Sequence, residues 1–471
     1  MMKKSFKYTR TIAVTAILAC LGGCSVSAEN MAKTQLNGAG TITEEMRHGF
    51  GGQPGTQGTG QPGQTQQQPG MFGNGQSGMM PDTDSGATSQ GNTLEVSSSA
   101  TVFYAYDDAF SNRDLAQEAD LTDATTYTVK DNETITINAA GVYVINGSAK
   151  NASIVIEAGD EDKVQIVLNG VNVTNDSTPV IYVKNADKVF VTTAANTTNK
   201  LSVTGTFTAD GDTNTDAVIF SKDDLTLNGL GTLTINSTDN GITSKDDMKI
   251  TGGTYNITST SDALEANDSI QIADGTFTIQ AGKDALHAEN DEDDTLGYVF
   301  ITGGTFDITA SDDAIQANSV LQIDNGTMNL SGGECLEATY VQVNDGNITI
   351  KASDDGINAS QKSYSYTPTV EINGGSIDIT MGSGDTDAID ANGNLIIRGG
   401  TINISAQSAF DFDGSVSFTG GSVYVNGSQV TSITNSMMGG MQGMRQGMQN
   451  GQGNMPNGQG GMMPGMQGGR R

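Results

Sequence analysis

Acidic side chains recur at nearly regular intervals through the middle of the chain. Each stands two positions before an aliphatic residue, as Asp262 precedes Leu264 and Asp284 precedes Leu286. If these segments were neighbouring strands, successive carboxylates would stand about 5 Å apart. Such crowding raises carboxyl pKa values and destabilises the fold unless a hard divalent cation lies between the carboxylates. We therefore predict Ca²⁺ as a cofactor, bound by Asp262, Asp284, Asp312, Asp313, Asp354, Asp355 and Asp387.

The same acidic residues are open to a second interpretation. Aspartates are common turn formers, because their carboxylates accept hydrogen bonds from nearby backbone N–H groups while remaining solvated. Position by position, the series also includes Asn240, Glu334 and Ser408, which are weaker or different ligands. Which coils hold metal therefore stays open at this point.

The charge balance agrees with a need for bound cations. The chain has 54 Asp and Glu against 23 Lys and Arg, a formal net charge of −31. Residues 93–436 alone hold 49 acidic and 14 basic residues. This much negative charge excludes nucleic acid as a partner, because phosphate binding requires a positive surface. It also repels itself within a compact domain unless counter-ions offset it.

The acidic residues belong to an internal repeat of about 22 residues. It is clearest in Ile250-Thr-Gly-Gly-Thr-Tyr-Asn-Ile and Ile301-Thr-Gly-Gly-Thr-Phe-Asp-Ile. Polar and apolar residues alternate within each copy, which is typical of β-strands. Three short strands and three turns per copy predict one coil that stacks on the next. We therefore predict an all-β fold, a single-stranded right-handed parallel β-helix (a solenoid) flanked by disordered arms.

The alternation also assigns residues to the inside of the coils. Tyr255, Phe277 and Phe306 occupy the same inward position in successive copies. Cys335 takes a small apolar position of the third strand, which predicts a buried side chain and not a nucleophile. We expect residues 93–130 to close the N-terminal end of the stack, since an open end would expose unpaired backbone.

The chain begins with a pattern typical of export. Basic residues precede a short apolar stretch that ends in Leu21-Gly-Gly-Cys24, which resembles a bacterial lipobox. We predict that Cys24 is acylated and anchors an extracellular protein to the membrane at the cell surface; plain secretory cleavage is the alternative. We divide the chain into four segments: a lipoprotein signal peptide (1–24), a low-complexity Gly/Gln/Met-rich tether (25–92), the predicted parallel β-helix domain (93–436), and a low-complexity Met/Gly/Gln-rich tail (437–471).

The two low-complexity arms hold most of the 19 methionines. Repeated thioether sulfur can bind Cu(I). No cysteine or histidine reinforces the sulfurs of the tail, so we interpret the arms mainly as flexible segments that bury too little apolar surface to fold.

Several longer segments resemble a known family. They include Phe110-Ser-Asn-Arg-Asp-Leu, Val167-Leu-Asn-Gly-Val-Asn-Val and Asn240-Gly-Ile-Thr-Ser-Lys-Asp-Asp. Together they are similar to exported, clostridial-type carbohydrate-binding β-helix proteins. The resemblance implies a pectate-lyase-like fold, Ca²⁺ binding, and binding of cellulose and polygalacturonate without an assigned catalytic activity. In this chain only Asp354-Asp355-Gly-Ile carries the full Asp-Asp-Gly-Ile pattern of some family coils.

The function predicted from these features is non-catalytic binding of a plant-type or acidic polysaccharide by a monomer. Aromatic rings near insertions are candidates for stacking on sugars: Tyr298, Tyr340, Tyr364 and Tyr366. One alternative is a Ca²⁺-dependent polysaccharide lyase, with Lys283 as the candidate base. Asn214-Thr-Asp216 imitates a polygalacturonase motif, but the further acids and the histidine of that site do not follow. A structural adhesin or spacer is the third possibility.

Overall fold

The computed structural model describes residues 99–384 and 386–435. All of them belong to Gly86–Arg471, one of two units into which the chain divides. Cys24, the predicted signal and tether, and the predicted tail lie outside the described residues. Helix in the described ranges is limited to one turn, Tyr106–Ala109, and none there is long and apolar enough to cross a membrane.

Parallel strands stack into three ladders, one for each side of a coil. Each strand hydrogen-bonds to the strands one coil before and one coil after it. Two long strands early in the first ladder continue into the second ladder. The first ladder consists of Thr125–Thr128, Gly141–Lys150, Lys163–Asn175, Lys188–Thr193, Asp224–Gly229, Asp247–Ile250, Ser269–Ile272, Tyr298–Ile301, Val320–Ile323, Tyr340–Val343, Thr369–Ile372, Asn394–Ile397 and Val416–Phe418.

From the coil that begins at Lys188–Thr193 onward, a strand of the second ladder follows that of the first. It consists of Thr198–Val203, Thr232–Asn236, Thr254–Thr258, Thr276–Ala281, Thr305–Ala310, Thr327–Gly332, Asn347–Ala352, Ser376–Met381, Thr401–Ser405 and Ser422–Val425. A last strand, Ser428–Val430, folds back antiparallel onto Ser422–Val425. This hairpin covers part of the edge that the final coil would otherwise leave unpaired.

The third ladder forms a separate sheet of twelve strands. Its strands are short in the middle of the stack, where three residues suffice for each coil. They are Thr134–Ile137, Ser153–Glu157, Ile181–Asn185, Ala217–Ser221, Asn240–Ser244, Leu264–Ala266, Leu286–Ala288, Ile315–Ala317, Leu336–Ala338, Ile357–Ala359, Asp387–Ala391 and Ser408–Phe412.

The register places like residues directly above one another. Leu264 pairs with Leu286, which in turn pairs with Ile315. A glycine turns the chain where the second ladder begins. Gly304 has φ +108°, and a Cβ there would lie 3.1 Å from the carbonyl oxygen of Gly275 in the coil before. The prediction of an all-β chain of stacked parallel strands is confirmed.

The interior is a continuous apolar core along all the coils. The rings of Tyr255 and Phe277 stack at 5.3 Å, and those of Phe277 and Phe306 at 4.7 Å, as predicted for an inward position. Cys335 is fully buried, which is also as predicted. Each fully buried large apolar side chain contributes ~1.5–3 kcal/mol, so repetition of these rows supplies most of the stability.

Residues 101–117, named here the N-terminal strap, run along the outside of the first ladder. The backbone N–H of Thr101 donates to Glu371 Oε1 (3.3 Å), whereas Asp114 pairs with Lys188 Nζ (2.8 Å), many coils earlier. The strap therefore runs in the direction opposite to the stacking of the coils. The prediction that 93–130 closes the N-terminal end is wrong for this part, because its polar groups find partners along the side of the stack.

Candidate functional site

The acidic residues of the repeat lie where the chain enters the third ladder, and several are tied to the next coil. The backbone N–H of Asp284 donates to Asp262 Oδ1 at 3.0 Å, and that of Asp313 donates to Asp284 Oδ1 at 2.8 Å. Asp387 N–H donates in the same way to Asp355 Oδ1 at 2.9 Å. One oxygen of these carboxylates thus serves the backbone, as the turn-former interpretation expects.

Carboxylate oxygens of neighbouring coils converge in clusters. Within each cluster one ligand atom per residue lies within 4.8 Å of the others. Three clusters follow one another along the third ladder: Asp262, Asp284 and His287; Asp284, Asp312 and Asp313; Asp313, Glu334 and Glu337. Of the seven residues predicted to bind Ca²⁺, the structure therefore brings four together.

The remaining three predicted ligands are arranged differently. Asp354, Asp355 and Asp387 form no cluster of three between residues 99 and 384 or 386 and 435. A further cluster, Asp224, Asp246 and Asp247, lies at the turn between the third and first ladders. Sequence reasoning missed this turn, although an Asp-Asp pair recurs there in two successive coils.

Burial and mutual repulsion both act on these carboxyl groups. Burial is the main cause that raises the pKa of Asp284 to about 6, and the charges of Asp262 and Asp312 add to it. Burial also raises the pKa of Asp313, followed by the hydrogen bond and charge of Glu337. These carboxyl groups therefore hold protons more tightly than isolated ones do, because the surrounding protein groups do not fully offset their negative charge.

A second row of polar side chains runs beside the acidic residues, and sequence reasoning did not identify it. Each of these residues lies between two apolar or small residues of a third-ladder strand, and they pair in register from coil to coil. We call them the outward row: Thr243, Glu265, His287, Gln316, Glu337, Asn358, Asp390 and Asp411. The signal was available for six of the eight, as the residue between an aliphatic residue and an alanine of the third strand.

Two lysines reach the outward row from neighbouring turns. Lys245 Nζ lies 3.0 Å from Glu265 Oε1, and Lys362 Nζ lies 2.7 Å from Glu337 Oε2. Lys362 lowers the pKa of Glu337 against the effect of burial, which would raise it. Two lysines thus pair with carboxylates along a face of an otherwise strongly acidic molecule.

Pockets open between these side chains. One of about 590 Å³ is lined by Lys245, Glu265, His287 and residues 289–292, among others. A second of about 180 Å³ is lined by His287, Gln316 and Lys362. The two share His287 and Glu289, and we call them together the third-ladder groove. It is walled by hydrogen-bond donors and acceptors, which suits a polar ligand.

The four predicted sugar-stacking tyrosines do not line either pocket of this groove. Tyr298 stacks on Tyr104 of the N-terminal strap at 4.1 Å. Tyr340 donates a hydrogen bond to Glu371, and its ring meets Phe103 edge-on at 4.7 Å. Phe103 also contacts the ring of Tyr366 at 5.8 Å. Tyr364 is 83% exposed, so it keeps a free ring surface.

The residues considered for catalysis do not form one site. Lys283, the candidate base of a lyase, is an exposed side chain. Asn214 Nδ2 donates to Asp216 Oδ2 at 2.6 Å, and Asp216 Oδ1 is buried without a hydrogen-bond partner. Burial, followed by the charge of Glu265, raises the pKa of Asp216 to about 6.

Two comparisons relate the chain to proteins described as carbohydrate-binding. A family model described as "Carbohydrate-binding domain-containing protein" matches residues 131–338 and 334–436. A curated protein of the same description from Acetivibrio thermocellus is 36% identical over 122 residues, which are 25% of this chain and 43% of that protein. The chain thus matches less than half of that relative's length.

A solved structure is also similar. It is described as a polysaccharide lyase-like protein from C. thermocellum, in a gadolinium derivative. It is 23% identical, with a TM-score of 0.37 over 62% of this chain and 98% of that one. From the match of the family model to most of the described residues, the chain belongs to the family of carbohydrate-binding domain-containing proteins.

Proposed function

We propose that this protein binds an extended acidic polysaccharide in the third-ladder groove, with Ca²⁺ held by the adjoining acidic clusters. The observation that carries the proposal is the placement of Lys245, His287 and Lys362 beside carboxylates that are crowded and partly buried. A carbohydrate needs many hydrogen-bonding groups at regular spacing, and the outward row supplies about one per coil.

The donor atoms fit Ca²⁺. Asp284, Asp312 and Asp313 offer only carboxylate oxygens, the ligand type that this hard cation prefers. Glu334 and Glu337 continue the set in the next coil. A bound Ca²⁺ would neutralise the carboxylates and could also accept an oxygen of a uronate. In this way a negatively charged stack can hold a negatively charged polymer.

The protein groups of the groove would provide the rest of the recognition. Lys245 and Lys362 are each only partly buried, so a uronate carboxylate can share them with Glu265 and Glu337. Gln316 Nε2 donates to Glu337 Oε2 at 3.1 Å and lines the same pocket as Lys362, where sugar hydroxyls would compete for it. Tyr364 remains a candidate for stacking on a sugar ring outside the groove.

Other parts of the proposal rest on the sequence. The coils would wind right-handed, the hand that nearly all parallel crossovers adopt. Acylation of Cys24 would hold the binding domain at the cell surface as a lipid-anchored, extracellular protein. Cellulose and polygalacturonate are the substrates that the family resemblance implies.

A co-sedimentation assay tests the proposal. Wild-type protein is incubated with insoluble polygalacturonate or cellulose, in Ca²⁺ or in chelator, and the bound fraction is measured. We expect Ca²⁺-dependent binding to polygalacturonate, reduced about tenfold in affinity by Lys245→Gln combined with Lys362→Gln, a loss of ~1.4 kcal/mol. Lys200→Gln, an exposed position on the second ladder, is the matched control.

Each result separates the alternatives. If neither chelator nor substitution of the two groove lysines changes binding, the proposed site is wrong. Steady release of unsaturated product from polygalacturonate, dependent on Lys283, would favour the lyase. Absence of binding to any polysaccharide in Ca²⁺ would favour an adhesin or spacer.

A further inference from the structure

The outer face of the third ladder changes character in its early coils. The outward row is polar, but the residues that continue it toward the N-terminal end are Val155, Tyr182 and Phe220, which pair in register and lead to Thr243. Tyr182 and Phe220 are buried and form an apolar cluster of their own, separate from the core inside the coils. Side chains of this kind on the outside of a stack avoid water only when another segment covers them.

Residues 204–216, named here the face loop, reach across these side chains. They join a second-ladder strand to the third-ladder strand Ala217–Ser221, a connection that takes only residues 237–239 in the next coil. Asp210 of the loop accepts a hydrogen bond from the Tyr182 hydroxyl, with 3.2 Å between the two oxygens. The loop is therefore an insertion that folds back over the outer face.

Contacts within the chain hold the face loop in place. The backbone N–H groups of Thr204 and Thr208 donate to the carbonyl oxygens of Asn175 (3.0 Å) and Ser177 (2.8 Å). Phe207 packs against the main apolar core. Because the loop is fixed by these contacts, it keeps its position without a ligand.

A pocket of about 320 Å³ lies between the face loop and the strands, and we call it the face pocket. Its volume is at the lower end of the range for small-molecule sites, about 300–1,000 Å³. Val155, Pro179 and Tyr182 supply an apolar part of its lining. Side chains with hydroxyl or amide groups supply a polar part, among them Asn151, Ser153, Thr178 and Thr215. The lining thus combines an apolar surface with several hydrogen-bonding groups.

The charges at the face pocket do not favour an anion. Lys184 lines the pocket, and its Nζ lies 3.0 Å from Asp210 Oδ2 and 3.3 Å from Glu157 Oε1. One ammonium group is therefore shared by two carboxylates, which leaves a net negative charge at this end of the pocket. A ligand that carries a carboxylate would be repelled there, whereas a neutral ligand would not.

We propose that the face pocket binds a unit of a neutral saccharide. A pyranose ring has C–H groups on its faces and hydroxyl groups around its rim, so it suits a lining with an apolar part and a hydrogen-bonding part. The strand Ile181–Asn185 precedes Leu264–Ala266 of the third-ladder groove by three coils, which is about 14 Å. The face pocket is therefore a site separate from the groove, and its ligand is neutral where that of the groove is acidic.

Isothermal titration with cellotetraose, xylotetraose and mannotetraose, in chelator, tests the proposal. We expect the wild type to bind at least one of these neutral probes with a Kd below about 1 mM. Ala209→Trp and Thr178→Trp each place a bulky side chain at an exposed position that lines the pocket, and each should weaken binding about tenfold or more. Ala195→Trp, exposed on a turn between the first and second ladders, is the matched control and should bind as the wild type does.

Two results would overturn the face pocket as a saccharide site: no binding of any neutral probe to the wild type, or unchanged affinity in both Ala209→Trp and Thr178→Trp. Tighter binding of tetragalacturonate than of the neutral probes in chelator would also contradict it.

Co-sedimentation with polygalacturonate in Ca²⁺ keeps this inference separate from the proposed function. Ala209→Trp should bind polygalacturonate as the wild type does, because the groove is unaltered. Lys245→Gln combined with Lys362→Gln should keep its affinity for the neutral probe. Loss of polygalacturonate binding in every protein, with neutral binding retained, would contradict the proposed function and support the face pocket as an independent site.

Discussion

The first and third ladders belong to the same coils, yet their outer faces differ. The N-terminal strap covers the outer face of the first ladder, where Asp114, Gln322 and Glu371 all have intramolecular partners. No comparable segment is seen over the third-ladder groove in the part of the chain that the structure describes, and its charged side chains line open pockets. The same stacked coils thus present a covered face on one side and an open, charged face on the other.

The largest expected effect concerns the buried ion pair under the strap. Lys188 and Asp114 side chains are 10% and 3% exposed. Burial opposes ionisation of Asp114, but Lys188 outweighs it and lowers the pKa to about 2. Asp114→Ala leaves the ammonium buried without its carboxylate, so we expect a loss of ~3–5 kcal/mol in the free energy of unfolding. Urea denaturation measures it; a loss below about 1 kcal/mol would show that the strap is dispensable.

Removal of Ca²⁺ should have the next largest effect on the free energy of unfolding. This effect is expected at the face of the third ladder. At a Ca²⁺ concentration one hundred times the Kd, one occupied site adds ~2.7 kcal/mol to the free energy of unfolding. Chelator removes this contribution. Asp313→Asn mimics the protonated carboxyl, so we expect it to stabilise the protein in chelator. We also expect it to remove most of the stabilisation that Ca²⁺ provides. Thermal unfolding with Ca²⁺ or chelator checks both outcomes. If Ca²⁺ raises the melting temperature of the variant and of the wild type equally, the ion does not bind at Asp313.

The acidic residues also predict an unusual pH dependence. Burial raises the pKa of Asp246 and Asp390 to about 7 and that of Asp284 and Asp355 to about 6, above the ordinary 3.8. The folded state therefore binds more protons than the unfolded state, so stability rises as pH falls through these values. In chelator we expect the melting temperature to increase by a few degrees from about pH 7.5 to 5, and less in Ca²⁺. A decrease over that range would contradict the assignment.

The smallest effect on folding is expected in the groove itself. The Lys245 and Glu265 side chains are 34% and 22% exposed. Exposed or partly exposed ion pairs contribute at most about 1 kcal/mol, so Lys245→Gln should barely change the urea midpoint while it weakens polysaccharide binding. If Lys245→Gln lowers the free energy of unfolding nearly as much as Asp114→Ala does, the first-ladder and third-ladder faces do not differ as described.

Much of the fold was predictable because the same alternation of polar and apolar residues recurs in successive coils. Alternation identified the inward rings of Tyr255 and Phe277, and the spacing of acids identified Asp262, Asp284 and Asp313. The strap was not predictable, since it does not repeat and its partners, such as Lys188 for Asp114, are distant in sequence. The outward row was missed because single polar residues between buried neighbours look like ordinary solvent-facing positions. The roles of His287 and Glu337 emerge only when adjacent coils are stacked.

The backward course of the N-terminal strap has a mechanical consequence. Tension transmitted along the chain from its beginning would enter the described structure near Thr101, beside Glu371 of a late coil, and not at the first coil. The pull would have to detach the strap contact by contact, toward Asp114, before it reached the strand Thr125–Thr128. If the chain is pulled from its beginning, the strap would therefore detach first, while the coils keep their register.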